Sequence, residues 1–141
     1  MRRGFSLVEL VTVIALLGLV TLIALPRLAA IADGSAVRHQ SAEVVAALDM
    51  ARATARRLAA PARLVLADSA LVVESTLDSI PVVAWRSPGP GAEGVALTGG
   101  GAPITFGPSG LAMGAANRTV TLARGSASHR VVISRLGRIT R

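Results

Sequence analysis

The feature that most limits what this chain can fold into is its apolar N-terminal run. Phe5 to Leu25 covers 21 residues, and Glu9 is the only charged residue among them. At about 1.5 Å per residue, a helix of that length spans roughly 30 Å, which is the thickness of the hydrocarbon core of a bilayer. Arg2 and Arg3 precede the run and favour a cytoplasmic N-terminus. Pro26 follows it and interrupts the helical hydrogen bonds. The run therefore predicts a membrane-spanning helix.

Glu9 is the residue in this run that a simple membrane anchor does not need. A carboxylate near the end of a membrane helix costs on the order of a few kcal/mol, so an acid in such a place indicates a function and a partner. Cleavage after Gly4 would give Phe5 a positively charged amine in the same apolar zone. The amine of one subunit would then neutralise Glu9 of its neighbour, and the close ion pair would fix the offset between subunits.

Three other interpretations of the N-terminus remain open. A secretory signal peptide would be cleaved after the small residues of Ala30-Ile31-Ala32, so that the mature chain would start at Asp33. The run is longer than the apolar region of most signal peptides and contains an acid, which argues against this interpretation. A plain signal anchor and a twin-arginine export signal at Arg2-Arg3 are the other two.

A second helical pattern follows the apolar run. Residues 33–40 are polar and predict a loosened or exposed stretch of helix. From Ser41 to Ala60, apolar residues recur at spacings of three and four, which is one face of a helix, and Pro61 ends the segment. Acidic residues come early in this helix and basic residues late, as the helix dipole favours. We expect its basic residues to lie on a solvated outer face: Arg52, Arg56 and Arg57.

From Ala62 onward, short runs of Val, Leu, Ile and Thr alternate with Gly, Pro and Ser breaks. The predicted strands are Arg63–Ala67, Leu71–Thr76, Pro81–Arg86, Val95–Thr98, Ile104–Phe106, Thr119–Ala123 and Arg130–Ser134. A long helix followed by antiparallel strands is an α+β pattern, in which the C-terminal half of the helix covers a β-sheet head. We expect a leader at 1–4, a transmembrane half of the helix at 5–32 and a globular domain at 33–141, with its helix to about 60 and its β-rich head at 62–141.

The sequence Gly4-Phe5-Ser6-Leu7-Val8-Glu9-Leu10 resembles the processing site of type IV pilins and type II secretion pseudopilins. This resemblance implies that prepilin peptidase cuts between Gly4 and Phe5 and methylates the Phe5 amine. It implies that Glu9 works in assembly and that Pro26 marks the kink of the long pilin helix. The implied partners are other pilins in a helical filament, the peptidase, an inner-membrane assembly platform and membrane lipid. The implied location is the inner membrane, with a periplasmic head, and afterwards the filament.

Later motifs resemble the H-type pseudopilins of the GspH/FimT family. They are Leu48-Asp49-Met50-Ala51-Arg52 leading to Arg56-Arg57, then Ile104-Thr105-Phe106-Gly107-Pro108-Ser109-Gly110, then Val131-Val132-Ile133-Ser134-Arg135-Leu136-Gly137-Arg138. The resemblance implies a minor subunit at the tip of a pilus or pseudopilus. Pilus and secretion versions share these features, so the choice between the two machines stays open.

The C-terminal end of the chain is basic. Lys and Arg number 15 against 8 Asp and Glu, and no acid follows Glu93. A segment whose charged residues are all basic suits an anionic partner. The planar guanidinium of Arg binds phosphate in a bidentate manner. Some type IV pilus relatives bind DNA through a Gly-Arg-x-Arg tail; here the tail is Gly137-Arg138-Ile139-Thr140-Arg141, with the last Arg one position later. Candidate DNA contacts are Arg135, Arg138 and Arg141. A solubilising edge, or contact with an acidic subunit, is the alternative.

No pattern in the sequence predicts catalysis, a metal or a cofactor. The chain has no Cys, and His39 and His129 are far apart without clusters of acids. Gly89 to Gly94 fits the dinucleotide pattern G-x-G-x-x-G, but no helix follows and we interpret it as a flexible turn. We therefore expect a structural protein: a minor pseudopilin of a type II secretion system, or alternatively a type IV pilus minor pilin that primes assembly or binds DNA for uptake.

Overall fold

The computed structural model describes residues 6–77, 80–114, 117–134 and 137–140. The chain divides into two compact units, residues 1–32 and residues 33–141. One helix contributes residues to both units, and every strand belongs to the second. The predicted α+β fold, with a long N-terminal helix and antiparallel strands, is confirmed.

Helix α1 runs from Leu7 to Leu58 with Pro26 inside it. The two predicted helical segments are therefore one helix. Pro26 lacks an N–H, so it removes the bond that residue 26 would donate to the carbonyl four residues earlier, but the helix continues past it. Residues 33–40, predicted as a loosened or exposed stretch of helix, are regular helix with Ser35, Arg38 and His39 exposed. The prediction is wrong for Val37 and Gln40, which are buried in the second unit because their face joins the core.

A residue with a left-handed backbone conformation follows the last turn of α1. Ala59 has a φ of 48°, and the amide of Ala60 donates to the carbonyl of Ala55 at 3.2 Å. This arrangement satisfies a carbonyl of the last turn and turns the chain out of the helical path. Pro61, which cannot continue a helix, follows and leads into the first strand.

The strands form two antiparallel sheets. In chain order they are β1 (Ala62–Leu66), β2 (Ala70–Leu77), β3 (Ile80–Pro88), β4 (Ala96–Thr98), β5 (Ile104–Phe106), β6 (Ala112–Met113), β7 (Arg118–Arg124), β8 (Ala127–Ile133) and β9 (Ile139–Thr140). The first sheet has the order β3-β2-β1-β5-β6, and the second has the order β4-β7-β8-β9. Every predicted strand is present; β5 has the predicted ends and the other six have shifted ends. The two-residue strands β6 and β9 were not predicted, because two residues are too short for an alternating pattern.

One hydrophobic core joins the helix to strands of both sheets. Among its fully buried members are Leu48 from α1, Leu64 and Phe106 from the first sheet, and Val120 and Val131 from the second. The buried face of α1 also includes the small residues Ala47, Ala51 and Ala55. Small side chains let a helix approach closely, which suits a core with few aromatic residues.

Candidate functional site

The apolar segment of α1 keeps all of its large side chains exposed. Every Leu, Val and Ile side chain from Leu7 to Ile31 is between 47% and 80% exposed. The hydroxyls of Thr12 and Thr21 donate to the carbonyls of Val8 and Leu17, each at 2.7 Å, so their polarity is satisfied within the helix. The apolar 18-residue stretch of α1 that could span a bilayer has no buried residue. By length and composition, the segment is able to cross a membrane.

Glu9 lies in the first turns of α1 and is exposed. Within the described part of the chain, no cation or hydrogen-bond donor contacts its carboxylate. A membrane environment would make such a lone carboxylate costly. The predicted processing site, Gly4 and Phe5, lies outside the described residues, so cleavage, methylation and the proposed amine contact remain predictions.

Helix α1 carries two arginines that meet the C-terminal part of the chain. The Arg52 guanidinium lies over the Phe106 ring, 5.4 Å from its centroid, and Nη2 donates to the carbonyl of Gly137. Nη1 of Arg52 lies 3.7 Å from Oδ1 of Asp49. Only 23% of the Arg52 side chain is exposed. The prediction that Arg52 lies on a solvated face is therefore wrong, because the aromatic ring and the carbonyl hold it inward.

Arg56 lies one turn further along α1 and is exposed. Its Nε lies against Gly110, so close that a side chain at position 110 would overlap it. Gly110 and Gly137 both have left-handed backbones, with φ of 79° and 77°. A Cβ at Gly137 would lie 3.0 Å from Arg52 Nη2 and 3.5 Å from the carbonyl oxygen of Gly110. The left-handed backbone favours glycine at both turns, and a side chain at either position would displace the arginine it meets.

We name this set the arginine junction: Arg52, Arg56, Phe106, Gly110 and Gly137. Its members come from the three H-type motifs of the sequence analysis. The first motif lies on α1, the second on β5 and the turn that follows it, and the third on β8 and the turn that follows it. The sequence gives no indication that these motifs touch, because they are separated by about fifty and thirty residues. The structure brings them to one place.

The turn after β8 carries the basic tail. The amide of Ser134 donates to the carbonyl of Arg138 at 2.8 Å, and the amide of Gly137 donates to the carbonyl of Ser134 at 2.8 Å. The hydroxyl of Ser134 also accepts the amide of Arg138 at 3.0 Å. Arg138 is exposed beside the arginine junction. The other two candidate DNA contacts, Arg135 and Arg141, lie outside the described residues.

Three more arginines belong to the second sheet. Arg124 Nε lies 3.0 Å from Asp33 Oδ1, and its Nη1 donates to the carbonyl of Glu93 at 2.8 Å. Arg118 donates to the carbonyls of Ala102 and Gly100. These two side chains are used in internal contacts. Arg130, paired with Thr121 across β7 and β8, is exposed.

The described residues contain no group of three or more His, Asp or Glu that could hold a metal ion. His39 Nδ1 lies 3.1 Å from Glu93 Oε1, which ties α1 to the loop before β4, while His129 lies on β8. The G-x-G-x-x-G segment is a short 3-10 helix at Pro90–Glu93, and the amide of Gly91 donates to the carbonyl of Asp68 at 2.9 Å. The segment is a turn, as predicted, and strand β4 rather than an α-helix follows it.

Comparison with known proteins gives two family matches. The family described as type II transport protein GspH matches residues 40–137. The prokaryotic N-terminal methylation motif matches residues 1–25. A search of curated proteins finds no match.

Two crystal structures of the type IV minor pilin FimU from Pseudomonas aeruginosa are similar to this chain. The P21 form has a TM-score of 0.59 at 17% identity, covering 74% of this chain and 86% of that one. The P65 form has a TM-score of 0.54 at 18% identity, covering 75% and 89%. At such identities the likeness shows the fold. The GspH match covers most of the chain, and the apolar helix with its methylation motif is consistent with anchoring in the inner membrane before assembly. The chain belongs to the GspH family of type II transport proteins, and it is a pseudopilin, a structural and non-enzymatic protein.

Proposed function

We propose that this chain is a minor, H-type pseudopilin of a type II secretion system. Membership of the GspH family implies a component of the pseudopilus; the minor role is our inference. The chain would be stored in the inner membrane as a single-pass protein, with a cytoplasmic N-terminus and a periplasmic head. Prepilin peptidase would cut between Gly4 and Phe5 and methylate Phe5. The assembly platform would then move the subunit from lipid into a filament of other pilins.

The observation that carries this proposal is the exposed apolar helix with a single carboxylate. Large apolar side chains surround the helix on all sides from Leu7 to Ile31, so lipid or other helices must cover them. Glu9 has no partner in the described part of its own chain. The Phe5 amine of a neighbouring subunit supplies the missing cation in the filament, and the pairing fixes the register of adjacent helices. Pro26 would mark the point at which the helix bends to follow the filament.

Substitution of Glu9 tests the assembly mechanism. We expect Glu9→Gln and Glu9→Leu to insert into the membrane as the parent does, because each removes the cost of a buried carboxylate. We expect both to be lost from filaments, because the amine then has no counter-charge. The measurement is the amount of each variant in sheared pseudopili and in membranes. Thr12→Ala is the matched control, since Thr12 is another polar residue of the same helix whose hydroxyl bonds internally.

Incorporation of Glu9→Leu at the parental level would show that the ion pair is not needed and would contradict the mechanism. Mass spectrometry of the mature N-terminus tests the processing step separately. We expect N-methylated Phe5, whereas a start at Asp33 would support a secretory signal peptide instead.

A second candidate is a type IV pilus minor pilin that primes assembly and captures DNA through its basic C-terminal end. The observation that favours it is the second sheet, whose four strands contain no acidic residue. Two arginines on or beside that sheet, Arg130 and Arg138, are exposed. Phosphate contacts from such residues would give affinity without sequence readout and would weaken with salt.

A binding titration tests this candidate. We expect the full-length chain in zwitterionic detergent micelles to bind a labelled duplex at low salt and to release it as salt rises. Arg138→Ala combined with Arg141→Ala should weaken binding, while Arg63→Ala should not, since Arg63 is paired with Glu74 at 3.0 Å. Absence of binding at low salt would exclude the DNA role and leave the pseudopilin role untouched.

A further inference from the structure

We propose that Arg27 binds a phosphate of the lipid headgroups at the periplasmic face of the membrane, and that this contact sets the depth of the apolar helix in the stored subunit. The inference rests on one part of the proposed function, which is storage in the inner membrane with a cytoplasmic N-terminus. It adds to that function a ligand of stated chemistry and the residue that binds it.

Arg27 is a cation without a partner in the described part of the chain. Its side chain is exposed, and no carboxylate of the described residues contacts its guanidinium. An ion pair within the helix would need an acid three or four residues away. All four of those positions are apolar: Ile23, Ala24, Ala30 and Ile31. A guanidinium group is always charged, so Arg27 requires water or an anion from elsewhere.

The place of Arg27 along α1 matches the outer boundary of a bilayer. It is the second residue after the apolar run Phe5–Leu25, whose length of roughly 30 Å fills the hydrocarbon core. Because α1 continues through Pro26, two further residues add about 3 Å along the axis. Each headgroup layer is roughly 5–8 Å thick. Arg27 therefore lies at the level of the lipid phosphates when the run spans the membrane.

Arg27 interrupts an uncharged stretch that is longer than the hydrocarbon core. Leu28 and Ile31 follow it and are 61% and 66% exposed. Without Arg27, residues 10–32 would contain no charged residue and would form a helix of roughly 35 Å, about 5 Å longer than the core. Such a helix has no unique depth in the membrane, because either end can take up the excess length. The cation keeps the segment after it out of the hydrocarbon and so selects one depth.

The guanidinium group of Arg27 is suited to a lipid phosphate. Its planar fork donates two parallel hydrogen bonds to phosphate oxygens, whereas a lysine ammonium acts as a point charge. The methylene stem of an arginine stays against the acyl chains while the charged group extends into the headgroups. Every phospholipid provides a phosphate at this depth, so the ligand is present wherever the helix spans a phospholipid bilayer.

Solid-state NMR of the full-length chain tests the contact. The chain, with carbon-13 in its guanidinium groups, is placed in vesicles of phosphatidylethanolamine and phosphatidylglycerol in a buffer without phosphate, so that lipid is the only source of phosphorus. Phosphorus-31 dephases the carbon signal of each arginine that touches a phosphate. We expect Arg27→Gln to reduce the dephased signal by the amount of one arginine. Arg38→Gln is the matched control: it removes an exposed arginine of α1 beyond the apolar segment and should leave the dephased signal unchanged.

The depth of the helix has its own readout. The chain has no Cys, so Leu22→Cys, at a position 74% exposed within the apolar run, carries a single spin label. Electron paramagnetic resonance gives the depth of this label from its accessibility to oxygen and to a water-soluble nickel complex. We expect Arg27→Leu to move the label toward the membrane centre by up to about 5 Å, one helical turn. Arg27→Lys should move it less, because an ammonium also stays at the interface, and Arg38→Leu should not move it.

The two measurements separate the ligand from the depth. Equal dephased signals in the parent and in Arg27→Gln would overturn lipid phosphate as the ligand of Arg27. An unmoved label in Arg27→Leu would overturn its role in setting the depth. A label as accessible to the nickel complex as in water, in the parent chain, would contradict membrane storage and this part of the proposed function. A spanning helix that shows neither effect of Arg27 would leave membrane storage intact and overturn this inference alone.

Discussion

Two charged residues of this protein, Glu9 and Arg52, differ in how their charge is satisfied. Glu9 is a carboxylate within an apolar surface, and Arg52 is a guanidinium within a packed junction. Both are polar groups in places that disfavour charge, but their contacts differ. Arg52 finds an aromatic ring and a carbonyl within its own chain. Glu9 finds no partner in the described part of its chain, which is why we assign its partner to another subunit.

The contact between Arg56 and Gly110 gives a prediction at the scale of one residue. Gly110→Ala should lower the free energy of unfolding by about 1–2 kcal/mol for the left-handed backbone alone, and by more because the new Cβ would overlap Arg56 Nε. Trp85 fluorescence during urea denaturation measures this loss. In an Arg56→Ala background the overlap disappears, so part of the loss should be recovered. No recovery would mean that Arg56 does not lie against this turn.

At the scale of elements, α1 is what connects the two sheets. Its buried face belongs to the same hydrophobic core as strands of both sheets. Asp33 and His39, in the middle of α1, contact Arg124 and Glu93. The junction formed by Arg52 and Arg56 adds a further tie near its C-terminal end. Burial of a helical face, together with polar ties at both ends, stabilises a helix that a polar stretch at 33–40 would not favour by itself.

Leu48 provides the test of this role. It is fully buried in the middle of the shared face, so Leu48→Ala should lower the free energy of unfolding by about 2–5 kcal/mol. We expect Trp85 fluorescence, which reports the first sheet, and hydrogen exchange of β7 and β8 to show the same loss. Leu111→Ala is the control, because Leu111 is 50% exposed and should change stability by less than about 0.5 kcal/mol. A loss confined to one sheet would show that the sheets fold independently.

At the scale of the whole molecule, charge and apolar surface are separated along the chain. The apolar surface that needs a partner lies before residue 32, and the acid-free basic surface lies after Glu93. The whole chain has a formal net charge of +7, which would make its contacts with anions sensitive to salt. We propose different partners for the two surfaces: apolar helices or lipid for the first, and an anion for the second.

Much of the architecture was predictable from the sequence. The apolar run, its acid and the helical pattern after Ser41 indicated a long helix, and the change to short alternating runs indicated strands. The strength of these predictions comes from local periodicity, which depends on a few residues at a time. The predictions for residues 33–40 and for Arg52 failed in part for one reason: polar side chains are usually solvated, and only the position of the head against this helical face shows that Val37, Gln40 and most of Arg52 are covered.

The sequence by itself determined which segments of this protein are suited to contact another molecule. The long apolar run and the basic C-terminal end without acids are properties of composition, so they are present whatever the chain folds into. The tertiary structure alone decided which distant residues act together. The arginine junction joins three motifs separated by tens of residues, and the side-chain contacts that join them, a guanidinium on a ring and on a glycine carbonyl, depend on the crossing of α1 over two sheets. Such contacts are set by packing geometry, and no local pattern of residue types encodes them.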